Sequence, residues 1–214
     1  MSYKVTLCDY GVGNLLSVRR ALEAVGAEVD QTGDPRRVAE ADRLVVPGVG
    51  AFGACVETLI AHGLRDSVCA FAQSGRPLLG ICVGMQMLLD SSEEFGVYEG
   101  LKIVPGSVQR IPVTRADGTP HRIPQIGWRG IWPAPEGPDW SETILAGTQP
   151  GTAFYFVHSY TAWPSDPAHR IADTDYGGRR IAAVIGKPPL YGCQFHPEKS
   201  GPAGLALLER FLSL

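Results

Sequence analysis

Apolar residues in the first hundred positions form short continuous runs that alternate with stripes at helical spacing. The runs predict buried strands at residues 4–9, 28–32, 44–46 and 77–81. The stripes predict helices between them, at 36–41, 54–62, 64–74 and 83–90, after a first helix with Leu15, Val18, Leu22 and Val25 on one face. Strands that alternate with helices at these intervals predict a parallel sheet covered on both faces.

After about residue 101 the pattern changes to strand-like segments separated by glycine and proline. These segments span residues 102–112, 123–132, 153–161, 179–185 and 190–195. Asp117-Gly118 and Gly177-Gly178 are typical of hairpin turns. We therefore expect antiparallel strands added to the parallel core, with an amphipathic helix at 202–214. Because no repeat or long linker divides the chain, the sequence predicts one α/β domain over residues 1–214.

Composition excludes several functional classes. The 214 residues carry a formal net charge of −3, which provides no basic field for nucleic acid. No apolar run approaches the ~18 residues of a membrane span. Residues 1–5 lack the basic, apolar and small-residue order of a signal peptide, so we expect a cytosolic location. Free thiols and no metal site are expected, because no CxxC spacing occurs among Cys8, Cys55, Cys69, Cys82 and Cys193.

Cys82 has the most informative position of the five cysteines. It lies in residues 80–84 (GICVG), where a buried strand turns sharply into a helix. The flanking glycines permit that turn and let a substrate approach the backbone. A helix N-terminus also favours the thiolate, which is the nucleophilic form. An isolated cysteine in such a place is more often a small buried residue, so the interpretation depends on its partners.

A base and a carboxylate follow far downstream in His196-Pro197-Glu198. Proline biases the preceding residue toward extended geometry, in which side chains at i and i+2 project to the same side. His196 would then take the thiol proton while Glu198 orients the ring. Alone, the tripeptide is more typical of a helix start with an acid in its first turn. Together with Cys82, it predicts nucleophilic chemistry on a carbonyl.

Residues 47–50 (PGVG) follow a buried strand, so they should lie at the carboxyl edge of the sheet beside Cys82. Its two glycines allow the loop to present backbone N–H groups inward, which with the N–H of Val83 would form an oxyanion hole. From this segment alone, a plain glycine-rich turn is equally favoured. Gln86 lies one helical turn past Cys82 on the same face and would hold a polar substrate. An exposed glutamine without such a role is the alternative.

The motifs GICVGMQ at 80–86 and FHPE at 195–198 resemble those of the class I (triad) glutamine amidotransferases. Residues 9–15, 47–53, 156–160 and 196–200 resemble, more narrowly, the glutaminase subunits of imidazole glycerol phosphate synthase. The resemblance runs from the first strand to the last helix. It implies a mainly parallel sheet flanked by helices, with antiparallel strands in the second half. It also implies that Cys82 attacks the glutamine carboxamide and that the resulting thioester is hydrolysed, with His196 and Glu198 completing the triad.

The same resemblance assigns further residues but no cofactor or metal. It places the oxyanion loop at Val49–Gly50, and it implies substrate contacts from Gly50, Gln86, Glu94, His158, Ser159 and Tyr160. The implied partner is a separate (β/α)8-barrel cyclase that forms a heterodimer with this chain. That cyclase would use the ammonia to convert the ribulosyl-formimino aminoimidazole carboxamide nucleotide (PRFAR) to imidazole glycerol phosphate and AICAR in histidine biosynthesis. Its contact surface would include Asn14, Trp128 and Lys199.

Ordinary interpretations stand beside these assignments. Glu94 would be part of a solvated helix end, Asn14 a helix N-cap, Trp128 a packed aromatic and Lys199 a solvated lysine. Two positions depart from the family pattern, since Arg129 replaces an expected asparagine and Cys193 an expected aliphatic residue. We expect Cys193 to pack like valine and Arg129 to alter details of the partner contact.

Three functional alternatives remain open at this point. The first is a triad glutaminase that serves another synthase, such as that for anthranilate, GMP or pyridoxal phosphate. The second is a stand-alone Cys-His γ-glutamyl hydrolase. The third is a catalytically silent binding subunit. Loss of the cysteine, histidine or glutamate would have indicated it, and all three residues are present. We also expect a weak glutaminase in isolation, because a glycine-rich loop can hold its peptide in a non-donating orientation until a partner biases it.

Overall fold

The continuous apolar runs form a parallel sheet in the computed structural model, which describes residues 3–214. Met1 and Ser2, part of the N-terminal segment interpreted above, lie outside the described residues. The parallel strands are β1 (Tyr3–Cys8), β2 (Ala27–Thr32), β3 (Leu44–Gly48) and β4 (Leu78–Cys82), in the spatial order β2-β1-β3-β4. Every residue of β3 and β4 is buried, as expected for strands covered on both faces.

Helices connect these strands. They are α1 (Leu15–Ala24), α2 (Pro35–Ala39), α3 (Phe52–Ala61), α4 (Arg65–Gln73), α5 (Val83–Met87) and α6 (Gly201–Leu212). Asn14 occupies the N-cap position of α1, but its side chain makes no capping hydrogen bond. The predicted helix at 83–90 is wrong in length. It ends at Met87 because the N–H groups of Leu88 and Leu89 bond three rather than four residues back, and the Asp90 N–H donates to the Gly106 carbonyl.

The second half of the chain adds antiparallel strands, as predicted. They are β8 (Gln125–Pro133), β9 (Ala153–His158), β11 (Arg170–Tyr176) and β12 (Arg179–Lys187), while β13 (Leu190–Cys193) pairs in parallel with β4. The nine strands follow the order β2-β1-β3-β4-β13-β12-β11-β8-β9. Gly177 and Gly178 form the turn between β11 and β12 with φ of 65° and 73°. The hairpin predicted at Asp117-Gly118 is reduced to a turn closed by one bridge between Thr114 and Pro120.

A smaller sheet covers one side of the large one. Its strands are β5 (Ser91–Ser92), β6 (Tyr98–Glu99), β7 (Gly106–Arg110) and β10 (Tyr160–Pro164), in the order β10-β7-β5-β6. The predicted strand at 153–161 is therefore wrong in extent, since the chain passes from one sheet to the other at Ser159. The strand predicted at 102–112 is likewise confined to β7. Within residues 3–214, no helix is long and apolar enough to cross a membrane.

Candidate active site

Cys82 lies at the sharp turn that the sequence predicted, as the last residue of β4 and the N-cap of α5. Its φ of 56° and ψ of −113° place a non-glycine residue in a strained part of backbone space. The neighbouring glycines make this geometry sterically feasible. A Cβ on Gly80 would lie 2.7 Å from the carbonyl oxygen of Gly84, and one on Gly84 would overlap the Val46 carbonyl. The thiol is thus held at the carboxyl edge of the sheet.

His196 reaches Cys82 because the strand before it, β13, lies directly beside β4, with Cys193 aligned to Ile81. His196 Nδ1 lies 2.8 Å from Glu198 Oε1, and the Glu198 side chain is only 1% exposed. His196 is extended, as predicted, with φ of −101° and ψ of 98°, but the residues after it are not, as in the helix-start alternative. Residues 197–199 form a 3-10 turn with His196 at its N-cap, and this turn brings the carboxylate to the ring. The structure therefore brings nucleophile, base and carboxylate together.

Electrostatics in this triad favour a charged imidazole ring. Burial opposes protonation of His196, but its hydrogen bonds to Cys82 and Glu198, and their charges, raise its pKa to about 9. With Nδ1–H donated to Glu198, the other ring nitrogen faces the thiol. An imidazolium beside a cysteine is the arrangement that stabilises a thiolate.

Gln194, which the sequence interpretation missed, connects the thiol to the substrate side of the site. It is fully buried, and its Nε2 lies 3.7 Å from Cys82 Sγ. Its Oε1 accepts a hydrogen bond from Gln86 Nε2 at 3.0 Å, and Gln86 Nε2 also donates to the Tyr160 carbonyl at 3.1 Å. Both hydrogens of the Gln86 amide are therefore bound within the protein, which leaves its oxygen free to accept from a ligand.

His158 supports the same carbonyl from the opposite direction. Its Nδ1 lies 2.7 Å from the Tyr160 oxygen, and its Nε2 lies 3.1 Å from the side-chain amide of buried Gln125. Burial lowers the His158 pKa to about 4, the hydrogen bond to Tyr160 opposes this, and the charge of His196 adds to it. The ring is therefore neutral and donates Nδ1–H to Tyr160. Its Nε2 can then only accept, so the amide nitrogen of Gln125 faces it.

A cavity of about 360 Å³ opens above the thiol, within the size range of small-molecule sites. Its walls contain the nucleophile and base together with every residue predicted for the oxyanion hole and the substrate: Val49, Gly50, Val83, Gln86, Glu94, His158, Ser159 and Tyr160. Lys199, Pro124 and Val157 complete the lining. A larger cleft of about 590 Å³ lies between α6 and residues 146–152, remote from this chemistry.

Glu94 has a structural contact that its sequence did not indicate. Its Oε2 accepts the backbone N–H of Phe52 at 2.7 Å, at the first residue of α3. The expected solvated helix end is wrong, because Glu94 lies in the loop after β5. The carboxylate thus fixes the start of α3, immediately after the oxyanion loop, while it also lines the cavity.

Of the residues predicted for a partner contact, Lys199 lines the cavity, whereas Trp128 and Asn14 do not. Trp128 is 53% exposed and packs edge-on against Tyr155 at 6.1 Å, and the Lys199 ammonium lies 6.0 Å from the same ring. Ile126 and Val157 pair across β8 and β9 and are also exposed. We call Ile126, Trp128, Tyr155 and Val157 the β8–β9 patch. Asn14 begins α1, which packs against the turn that carries Lys199.

The two departures from the family pattern have different environments. The Arg129 guanidinium stacks over Tyr176 at 5.5 Å, away from the triad. Cys193 is fully buried in the main hydrophobic core, where burial raises its pKa. Its expected packing role is therefore confirmed.

Comparison with known proteins agrees with this geometry. The glutamine amidotransferase class-I family model matches residues 6–214. The chain is 48% identical over 210 residues to imidazole glycerol phosphate synthase subunit HisH 1 of Legionella pneumophila (strain Lens), covering 98% of this chain and 99% of that protein. It is 43% identical over 211 residues to imidazole glycerol phosphate synthase subunit HisH of Syntrophotalea carbinolica, covering 97% and 98% of the two chains.

Solved structures support the fold. PurLQS from Thermotoga maritima superposes with a TM-score of 0.72 at 17% identity, over 100% of this chain and 99% of that one. A crystal structure of a glutamine amidotransferase gives 0.71 at 16% identity, over 98% and 99%. Since the family model spans almost the entire sequence and the triad geometry is in place, the chain belongs to the class I glutamine amidotransferases.

Proposed function

We propose that this chain is the glutaminase subunit of an imidazole glycerol phosphate synthase, which hydrolyses L-glutamine and delivers ammonia to a separate cyclase. The observation that carries the chemistry is that Cys82 and His196 line one cavity of about 360 Å³, with the His196 ring paired to Glu198 at 2.8 Å. The near full-length identity to HisH proteins supports the choice of synthase.

The reaction follows from the positions of these groups. His196 takes the Cys82 proton, and the thiolate attacks the carboxamide carbon of glutamine. Charge that develops on the carboxamide oxygen is stabilised by backbone N–H groups of the Val49–Gly50 loop and of Val83. The imidazolium then protonates the leaving nitrogen, which departs as ammonia. Water, deprotonated by His196, attacks the thioester and releases glutamate and the free thiol.

The remaining cavity residues would select glutamine. The free amide oxygen of Gln86 and the carboxylate of Glu94 present acceptors to the α-ammonium group of the substrate. The backbone of residues 158–160, fixed through the Tyr160 carbonyl, would bind the α-carboxylate. With the α-ammonium and α-carboxylate groups bound in this way, the γ-carboxamide of glutamine would lie over Cys82.

The ammonia acceptor is a cyclase of (β/α)8-barrel form that joins this chain as a heterodimer and converts PRFAR to imidazole glycerol phosphate and AICAR. The β8–β9 patch is the proposed docking site, since Ile126 and Trp128 are 57% and 53% exposed and Val157 of the same patch lines the cavity. Exposed aromatic and aliphatic side chains on one face of a strand pair are typical anchors of a protein interface. Lys199 and the start of α1 would border that contact.

One experiment tests nucleophile, partner and acceptor together. Glutamate release is measured for this chain alone, with a cyclase subunit, and with the cyclase plus PRFAR. We expect weak hydrolysis alone, activation in the full mixture, and loss of hydrolysis in Cys82→Ala. Hydrolysis by Cys82→Ala in the complex would contradict the mechanism, and full activity without partner would contradict activation. Hydrolysis that never couples to PRFAR conversion would leave the glutaminase intact and overturn the choice of acceptor.

A further inference from the structure

Two buried side chains bind the backbone of the oxyanion loop, residues 47–50, from the side of the hydrophobic core. The Tyr10 hydroxyl donates to the Pro47 carbonyl at 2.7 Å, and the Cys55 thiol donates to the Val49 carbonyl at 3.2 Å. Tyr10 is fully buried and Cys55 is 1% exposed. Alternate carbonyls of residues 47–50 are therefore held on the core side of the loop.

The Cys55 contact determines where one N–H group of the loop points. The C=O and N–H of a trans peptide point in opposite directions, so fixing the Val49 carbonyl also fixes the Gly50 N–H. Cys55 lies in the hydrophobic core, whereas Gly50 lines the cavity. With its carbonyl turned toward the core, this peptide directs the Gly50 N–H toward the cavity side. That is the orientation an oxyanion donor needs, so the partner-dependent change of orientation expected from the sequence would concern the Gly48–Val49 peptide, whose carbonyl neither side chain binds.

Position on α3 explains why residue 55 reaches back to the loop. Helical side chains point toward the helix N-terminus, and Cys55 lies in the first turn of α3, directly after the loop. The start of this helix is itself fixed by the hydrogen bond from Phe52 N–H to Glu94. The donor is therefore carried by a rigid element.

Both groups retain their protons at neutral pH. Burial raises the Cys55 pKa to about 11, although its contacts with Tyr10 and Val49 oppose this. Burial also raises the Tyr10 pKa, to which the neighbouring Cys55 thiol contributes. A protonated thiol and a protonated phenol can both donate to carbonyls.

We propose that Cys55 and Tyr10 are positioning residues that hold the Pro47–Gly50 loop with the Gly50 N–H directed at the developing oxyanion. The inference rests on the proposed glutaminase function. It predicts a loss in kcat and little change in KM, because the loop acts on the transition state more than on bound glutamine. Complete loss of an oxyanion donor typically costs about 10²–10³ in rate. Loss of one weak hydrogen bond to the loop should lower kcat roughly tenfold, which is less than loss of the donor itself.

Cys55→Ala, Cys55→Ser and Tyr10→Phe test this assignment, with Cys69→Ala as the matched control. The control removes a half-buried thiol on α4, which donates to the Leu101 carbonyl and is remote from the loop. Each variant is assayed under the partner condition that gives wild type its highest glutaminase activity. We expect kcat to fall roughly tenfold in Cys55→Ala and Tyr10→Phe, with KM within twofold. Cys55→Ser keeps a donor at the same position and should recover most of the rate.

A second measurement separates positioning from general damage to the fold. The aldehyde analogue of glutamine forms a tetrahedral adduct with Cys82 and needs the oxyanion donors, whereas glutamate does not. The inhibition constant of the aldehyde should rise in parallel with the loss in kcat, and that of glutamate should stay unchanged. Equal changes for both inhibitors, or a Cys55→Ala rate equal to that of Cys69→Ala, would overturn the inference alone. Absence of glutaminase activity in wild type would overturn the proposed function and this inference with it.

Discussion

Replacing Glu198 with glutamine removes the buried charge that faces His196 while it preserves the size of the side chain. The amide oxygen of glutamine can still accept the Nδ1–H of His196, so the orientation of the ring should persist. What is lost is the preference for the imidazolium. Glu198 is only 1% exposed, and its Oε2 has no hydrogen-bond partner within the described residues, so water screens this charge poorly.

The size of the effect follows from the histidine. Its pKa rises from 6.5 to about 9. A pKa rise of ~2.5 corresponds to roughly 3 kcal/mol in favour of the charged ring. Cys82 and Glu198 share that stabilisation. Cys82 contributes at least as much to it as Glu198, so the Glu198 charge is worth about 1.5 kcal/mol, or roughly a tenfold change in rate.

The assay is glutamine hydrolysis in the presence of the partner, with the His196 titration followed by NMR. We expect kcat of Glu198→Gln to fall roughly tenfold with KM within threefold, and the His196 midpoint to move from near 9 toward its ordinary value. Glu93→Gln makes the same chemical change on an exposed carboxylate outside the cavity and should leave both unchanged. A Glu198→Gln enzyme within twofold of wild type would refute the reasoning.

Three further predictions concern stability and association. Burial lowers the pKa of His158 from 6.5 to about 4 in the folded protein, so between these pH values the unfolded chain binds a proton that the folded protein does not. The free energy of unfolding should therefore be undiminished by this group above pH 6.5 and should fall by roughly 3 kcal/mol as the pH drops toward 4. Urea unfolding between pH 7 and 4.5 should show this decline in wild type and a smaller one in His158→Gln. Gly84→Ala would push a Cβ into the Val46 carbonyl and should lower the free energy of unfolding by about 3 kcal/mol or more, measured in urea; normal stability would contradict the packing described here. Trp128→Ala should weaken binding of the cyclase at least about tenfold by calorimetry, whereas Trp163→Ala, which removes a comparably exposed indole from the smaller sheet, should not.

Much of the site was predictable because its central features impose strong local demands on residue type. The reversal at Cys82 requires glycines where added side chains would collide, so GICVG stands out in the sequence. Continuous apolar runs identified β3 and β4 because both faces of these strands are covered. His196 and Glu198 were found from their residue types, although a 3-10 turn rather than an extended segment brings them together.

What the sequence did not indicate depends on contacts between distant segments. Gln194 is a polar residue between apolar neighbours, but only folding shows that its amide reaches Cys82 and Gln86. Strand β11 went unrecognised because Arg170 and Asp173 interrupt its apolar pattern, and their ion pair forms only in the folded chain. The role of Glu94 at the start of α3 likewise depends on a loop meeting a helix from a different part of the chain.

The insertion of β13 between β4 and β12 also determines when the enzyme becomes reactive during its own synthesis. Cys82 is synthesised more than a hundred residues before His196 and Glu198. Until β13 enters the sheet, the cysteine has neither base nor carboxylate beside it. The nascent protein therefore has an unactivated thiol at position 82 until β13 and the residues after it have been made. Glutamine cleavage begins only when the two halves of the sheet have joined.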